Sequence, residues 1–274
     1  MKISSYLLIQ LLCLCLFVEP AMAQVEPVPA QLDSAQIIPA DSVLPGQEEP
    51  FTDAQRLEGY NRRFLLRAVL PSTALMIAGI TTLEGRGLFS SNDLFDYRTK
   101  TFPNFSTNAD DFVMLAPLVG LYGYNIISSQ NRHELGRQTL LLVGSGVLTT
   151  ALVVPTKLLT DMERPNGKPH AFPSGHTAYA FTIATFMDKE FRHKSPWISV
   201  ASYTIAGATG VVRVLNNAHW MSDVLAGAGV GIVSVNTVYW LHAKFAKDKG
   251  LNAMVMPLVL PTGKMAGLSM SFTF

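Results

Sequence analysis

Six apolar segments, each cut from the next by polar or basic residues, constrain the fold of this chain more than any other feature. They run over Ala68–Leu83, Phe112–Ser129, Thr139–Thr156, Thr177–Met187, Trp197–Val214 and Val224–Ala243. Their length and their lack of strict alternation predict helices rather than strands. Six such segments in a row predict an all-α six-helix bundle, in which facing helices can build a site.

The punctuation between the segments carries information of its own. Arg62, Arg63 and Arg67 precede or open the first segment, and Arg132, His133 and Arg137 lie between the second and third. Lys189, Arg192 and Lys194 separate the fourth and fifth, and Lys244, Lys247 and Lys249 follow the sixth. In an alternating bundle these four basic clusters share one pole, where His133, His193 and His242 are read as surface residues. With 49% hydrophobic residues, 15% charged residues and a mean hydropathy of +0.26, the chain sits toward the membrane end of the range. A net charge of +1 argues against a nucleic-acid partner, which needs a basic face.

Both ends of the chain differ from its body. Lys2, the apolar run Tyr6–Val18 and the small-residue pattern Ala21-Met22-Ala23 read as a signal peptide over 1–23. Cys13 and Cys15, the two cysteines, fall inside that run, so a cleaved chain is cysteine-free. Residues 24–58, acidic and broken by Pro27, Pro29, Pro39, Pro45 and Pro50, read as a disordered tether ahead of a helical domain over 59–250. In the tail, 251–274, Ala266, Leu268, Met270, Phe272 and Phe274 alternate with small or polar residues. That period of two, with Val255–Leu260 before it and Pro261–Lys264 as a turn, predicts a short β-hairpin on the bundle. A last strand ending in Phe also resembles the terminal strand of outer-membrane proteins.

These features disagree about orientation. A cleaved signal starts the mature chain outside, and six spans then bring the basic pole outside as well. The positive-inside rule places that pole in the cytoplasm. Spanning also needs about 20 apolar residues; Thr177–Met187 is about half that, and Pro71 and Pro117 interrupt two other segments. The expectation is an exported, membrane-associated bundle on the far side of the inner membrane, the alternative being a multi-pass inner-membrane protein.

The chemistry lies at the other pole. Asp223 follows His219 by four residues, a spacing that puts both on one helical face. A carboxylate on one ring nitrogen fixes the tautomer and leaves the other as a nucleophile. In Pro173-Ser174-Gly175-His176, Ser174 reads as the N-cap of the helix that follows, and Gly175 lets the backbone approach a ligand. A helix N-terminus is an anion site, and His176 sits in its first turn. Lys157 and Arg213 each end an apolar segment, and Arg164 stands before Pro165. Each by itself reads as a snorkelling cation; together at one pole they repel unless an anion joins them. Such a set neutralises a phosphate, attacks it and supplies a proton, with no metal or other cofactor required. His170 is read as lining the pocket entrance, and Trp197 and Trp220 as interfacial or packing residues.

Lys157-x6-Arg164-Pro165, Pro173-Ser174-Gly175-His176 and Arg213-x5-His219-x3-Asp223 together resemble the phosphatidic acid phosphatase type 2/haloperoxidase superfamily. The resemblance covers Lys157 to Asp223. It implies the all-α bundle of that family and a phosphatase acting through a phosphohistidine. His219 would be the nucleophile, Asp223 its orienting carboxylate, and His176 the acid for the leaving alkoxide and then the base for water. Lys157, Arg164, Ser174, Gly175 and Arg213 would bind the phosphate. The substrate it implies is a phosphomonoester or pyrophosphate of a lipid: phosphatidic acid, phosphatidylglycerol phosphate, undecaprenyl pyrophosphate or lipid A. One position departs: Val212 stands where the family often has Ser, removing one phosphate hydrogen bond. A vanadium-dependent haloperoxidase, a soluble acid phosphatase for small esters and a non-catalytic membrane protein are the other readings.

Overall fold

The structure, a computed structural model, describes residues 61–62, 64–83, 90–120, 133, 135–245, 252–259 and 265–273. The signal segment, the tether, positions 121–129 of the second apolar segment and the Pro261–Lys264 turn lie outside the described residues.

Five of the expected segments are helices. Helix α1 (Leu70–Leu83) is entered through a π-helical turn, Leu65–Val69, beside Pro71. A proline ring has no N–H to donate, and a local change of helical pitch is one way to absorb it. The others are α4 (Leu135–Thr160), α5 (Gly175–Phe191), α6 (Pro196–Leu215) and α7 (Met221–Phe245). Two short helices, α2 (Ser91–Thr101) and α3 (Ala109–Val113), lie between α1 and residues 116–120, which are also helical.

Helix α2 is absent from the apolar pattern because its composition is polar. It is held by its ends instead: Ser90 Oγ accepts from the N–H groups of Asn92 and Asp93 at 3.2 and 3.5 Å. Asp93 lies in the first turn and Arg98 and Lys100 in the last, matching the helix dipole.

Helix α7 forms the axis of the body. It packs on α1, α5 and α4, while α5 is also covered by α6. The approach to α5 is close: a Cβ on Gly227 would stand 2.5 Å from the Ser174 carbonyl oxygen, and one on Gly231 would meet the Ala178 carbonyl. Larger side chains there would push the helices apart. Below this contact Leu141, Ile183, Phe186, Met187, Phe191, Val235 and Tyr239 make the largest apolar cluster. Enclosure by α4, α6 and α7 explains why α5 does not need a spanning length of lipid-facing residues. It extends beyond the expected Thr177–Met187 by a further turn, to Phe191.

Among the described residues, Arg137, Lys189 and Lys244 of these clusters gather at one pole. Trp240 Nε1 donates to Asn61 Oδ1 at 2.9 Å, joining the start of the body to the end of α7, and Lys244 Nζ lies 5.1 Å from the Trp240 ring. His133 is not a surface residue here: its Nδ1 is 2.8 Å from Oε1 of the fully buried Glu190, which also accepts from the Tyr239 hydroxyl at 2.5 Å. His242 stacks edge-on against His133. A buried carboxylate needs such partners, and they clamp α4, α5 and α7 together at this end.

Helices α4, α6 and residues Met221–Lys244 of α7 are long and apolar enough to cross a membrane. Helix α7 is mostly covered, but α4 exposes Val143, Val147, Val154, Leu158 and Leu159, and α6 exposes Trp197, Val200 and Val211. Such continuous apolar faces suit lipid rather than water. This shifts the balance from a bundle that stays out of the bilayer toward one that enters it. Asn252–Val259 and Met265–Thr273 trace an antiparallel pair, with Asn252 opposite Thr273.

Replacing Gly231 by Val is expected to lower the melting temperature in detergent by overpacking, at a cost of about 1–3 kcal/mol. Gly146→Ala, inside α4 and with nothing within 4 Å of its Cβ, is the control and should not lower it, since alanine favours the helix by about 0.5–1 kcal/mol. Thermal unfolding of the two variants checks the close contact.

Candidate active site

His219 and Asp223 meet at the start of α7, though not as neighbours on a helical face. His219 precedes the helix, and Asp223 stands in its first turn. Asp223 Oδ2 accepts from the Trp220 backbone N–H at 2.9 Å and lies 3.2 Å from His219 Nδ1. Ser222 Oγ donates to Oδ1 at 3.4 Å. An acidic side chain three residues into a helix reaching back to the cap N–H is a capping arrangement, and the N-terminal dipole favours its charge. Both residues are buried, His219 2% exposed and Asp223 not at all. With Nδ1 toward the carboxylate, Nε2 of His219 keeps its lone pair.

The second block is bonded to the third through the backbone. The N–H of Ser174 donates to the Asp223 carbonyl at 2.9 Å. Ser174 caps α5 as expected, its Oγ accepting from the N–H of Thr177 at 3.4 Å and from the Thr177 hydroxyl at 3.0 Å. With its oxygen occupied as acceptor, the buried Ser174 hydroxyl keeps its proton to donate. At Gly175 an added Cβ would come no nearer than 3.9 Å, to Lys157 Cε and Val153 Cγ1, so protein packing alone does not demand glycine there.

Lys157 lies in the last turn of α4, and its Nζ donates to the carbonyls of His170 and Ala171 at 2.9 and 3.2 Å. It therefore pins the loop that carries Arg164, besides adding charge. Trp220 Nε1 holds the same loop at the Glu163 carbonyl, 2.8 Å away, and its ring packs on Phe95 at 5.5 Å. His170 Nδ1 sits 3.2 Å from the Lys157 carbonyl and 3.3 Å from Asp161 Oδ1. The loops between the blocks are tightly bent: Asp161, His170 and Asn217 all have positive φ, which short polar side chains tolerate better than branched ones. Arg164 Nε is buried and has no acceptor among the described residues.

His176 Nε2 lies 2.7 Å from Oδ1 of Asp111, a residue of α3 that sequence spacing did not single out. Nor did the sequence single out the residues that place α3. Arg98, 6% exposed, donates from Nε to the Leu215 carbonyl at 2.7 Å and from Nη2 to the Phe105 carbonyl at 3.1 Å. Asn216 Oδ1 accepts from the Thr107 N–H at 3.0 Å, while its Nδ2 donates to the Thr107 carbonyl at 2.7 Å. The only sequence signal for this region was the capping pattern at Ser90–Asp93.

Residues 138–247 match the family model of the PAP2 superfamily. Over these residues the chain is similar to that superfamily. Among curated proteins, it is 37% identical over 147 residues to the lipid A 1-phosphatase of Porphyromonas gingivalis, covering 53% of this chain and 33% of that protein. It is 34% identical over 77 residues to the bacitracin transport permease protein BcrC of Bacillus licheniformis, 28% of this chain and 36% of that one. The chain thus spans about a third of the length of these relatives. The crystal structure of Aquifex aeolicus LpxE superposes with a TM-score of 0.42 and 23% identity, over 54% of this chain and 93% of that one.

In this site the charges act on one another. Burial pulls Arg164 below the usual guanidinium range, and the like charge of Arg213 adds to this while Asp223 opposes it. Burial also lowers His219, to about 4; the Asp223 hydrogen bond and charge work against the shift, and Lys157 and Arg164 add to it. The ring is therefore neutral, the form a nucleophile needs, throughout the physiological range. In histidine-labelled protein, the imidazole NMR signal missing from His219→Gln is expected to stay neutral down to about pH 4 in the absence of phosphate. A midpoint near 6.5 would contradict the burial.

Proposed function

We propose that this chain is a phosphatase for a lipid-borne phosphomonoester or pyrophosphate, working through a phosphohistidine. One observation carries the reading. The buried His219–Asp223 pair lies within the electrostatic reach of Lys157 and Arg164, which in turn feel the charge of Arg213, beside the N-terminus of α5. Three cations converging beside a neutral imidazole make a positive pocket that a phosphate dianion fits.

The steps follow from the atoms. His219 Nε2 attacks phosphorus in line, a P–N bond forms, and the bond to the lipid oxygen breaks. His176 gives its proton to that alkoxide. Water then attacks the phosphohistidine, its proton passes to His176, and phosphate leaves with the P–N bond broken. Arg164 Nε, the Ser174 hydroxyl and the helix start at Gly175 hold the equatorial oxygens with Lys157 and Arg213. Open space at Gly175 lets the phosphate approach the backbone.

The apolar faces of α4 and α6 support a lipid substrate over a small soluble ester, and the lipid A 1-phosphatase relative supports lipid A among the candidate lipids. The basic pole, with Arg62, Arg137, Lys189, Arg192, Lys194 and Lys244, supports a catalytic pole facing the outer side of the membrane. We read the C-terminal antiparallel pair as the hairpin expected from its alternation.

His219→Ala is expected to abolish phosphate release from lipid substrates, and His176→Ala to accumulate phosphoenzyme after one turnover. Arg164→Ala should lower kcat by about 10²–10³. Vanadate should inhibit without giving bromide oxidation by peroxide; bromide oxidation would favour the haloperoxidase reading. For orientation, Asn166→Cys in a Cys13→Ser, Cys15→Ser background should react with an impermeant maleimide from outside intact cells.

A further inference from the structure

The partner of His176 comes from outside the segment that matches the superfamily. We propose that Asp111 is the positioning residue for His176, selecting the ring nitrogen that serves the leaving oxygen, and that Arg98 and Asn216 hold it there. The inference rests on the phosphatase reading above.

By itself, a carboxylate–imidazole pair with side chains 51% and 35% exposed carries little weight. What stands behind this one is not a surface feature. Arg98 is a buried cation, and taking its charge out of water requires compensation. Its two bonds run to the last carbonyl of α6 and to Phe105, so it fastens the segment after α2 to the helix end that also carries Arg213. Asn216, one residue on, forms two reciprocal bonds with Thr107. Thr107 Oγ1 in turn accepts from the Ala109 N–H at 3.1 Å, which sets the first turn of α3. Asp111 follows two residues later. The clamp thus runs unbroken from the end of α6 to the second histidine of the site.

The two imidazole–carboxylate pairs are complementary. Asp223 takes Nδ1 of His219 and leaves Nε2 for phosphorus. Asp111 takes Nε2 of His176 and leaves Nδ1 for the proton transfer. When the lipid P–O bond breaks, the Nδ1 proton of the His176 imidazolium goes to the departing alkoxide, and the ring stays bonded through Nε2–H to Asp111. When water attacks the phosphohistidine, the same Nδ1 lone pair takes up its proton. A carboxylate at Nε2 restrains the rotation of the ring in both steps and keeps Nδ1 turned to the reacting oxygen.

The test compares two phosphomonoesters with the full-length protein in detergent. Phosphatidic acid with two octanoyl chains must protonate its leaving alkoxide, whereas p-nitrophenyl phosphate leaves as a stabilised phenolate. The parameter is kcat/KM, which excludes phosphoenzyme hydrolysis. Asp111→Asn is expected to lower kcat/KM on the phosphatidic acid about 10- to 100-fold, part of the 10²–10⁴ that a placed acid supplies. On p-nitrophenyl phosphate the change should stay within about threefold, because that group needs little protonation. Asp111→Glu should recover part of the loss, with the melting temperature of both variants near wild type. Equal losses on both substrates would make Asp111 merely structural. No change on either, or a gain on both as expected of an anionic latch over His176, would also overturn the proposal. Should wild type release phosphate from neither ester, nor from lipid A or undecaprenyl pyrophosphate, the phosphatase reading itself falls, a result that does not depend on the variants.

Discussion

The site depends on one close backbone contact, where the start of α7 lies against the start of α5. Gly227 brings α7 up to the Ser174 carbonyl, and the Ser174 N–H donates to the Asp223 carbonyl. Any side chain at Gly227 would separate the helices, and the capped His219–Asp223 turn would then lose its register with the α5 N-terminus. His219, Asp223 and the N-terminus of α5 are thus set by main chain on main chain, a rigid way to hold them. The cations are then delivered by helix ends that already converge: Lys157 from α4, Arg213 from α6, and Arg164 from the loop between α4 and α5.

Charge gives the body its two distinct poles. At one, three cations surround a buried carboxylate and a neutral imidazole. At the other, the buried carboxylate of Glu190 is matched by Tyr239 and His133 and closes the bundle. Between them the core is apolar, and the outer faces of α4 and α6 are apolar as well. That distribution fits a slab of lipid, with chemistry confined to one interface. It also supports the proposal that the substrate is a phosphate carried on a lipid.

The helices were legible because apolar runs of helical length have few other solutions. Ser174 as a cap was legible for a similar local reason. Helix α2 was not, since its polar composition leaves only capping and dipole signals. The pairing of His219 with Asp223 was read correctly, but through the wrong geometry: the spacing of four suggested one helical face, whereas a capping turn brings them together. His133 was read as surface because nothing in its neighbourhood points to Glu190, 57 positions away.

By itself the sequence determined the element type of five of the six apolar segments and the residue types that meet at one pole, because periodicity and short-range spacing are local properties. Tertiary structure alone decided what each of those side chains touches. Lys157 holds a loop, Arg98 is a buried clamp, and Asp111 reaches His176 from 65 positions away. Contacts of that range arise from how helices cross and how loops are fastened, and no local pattern in the chain encodes them.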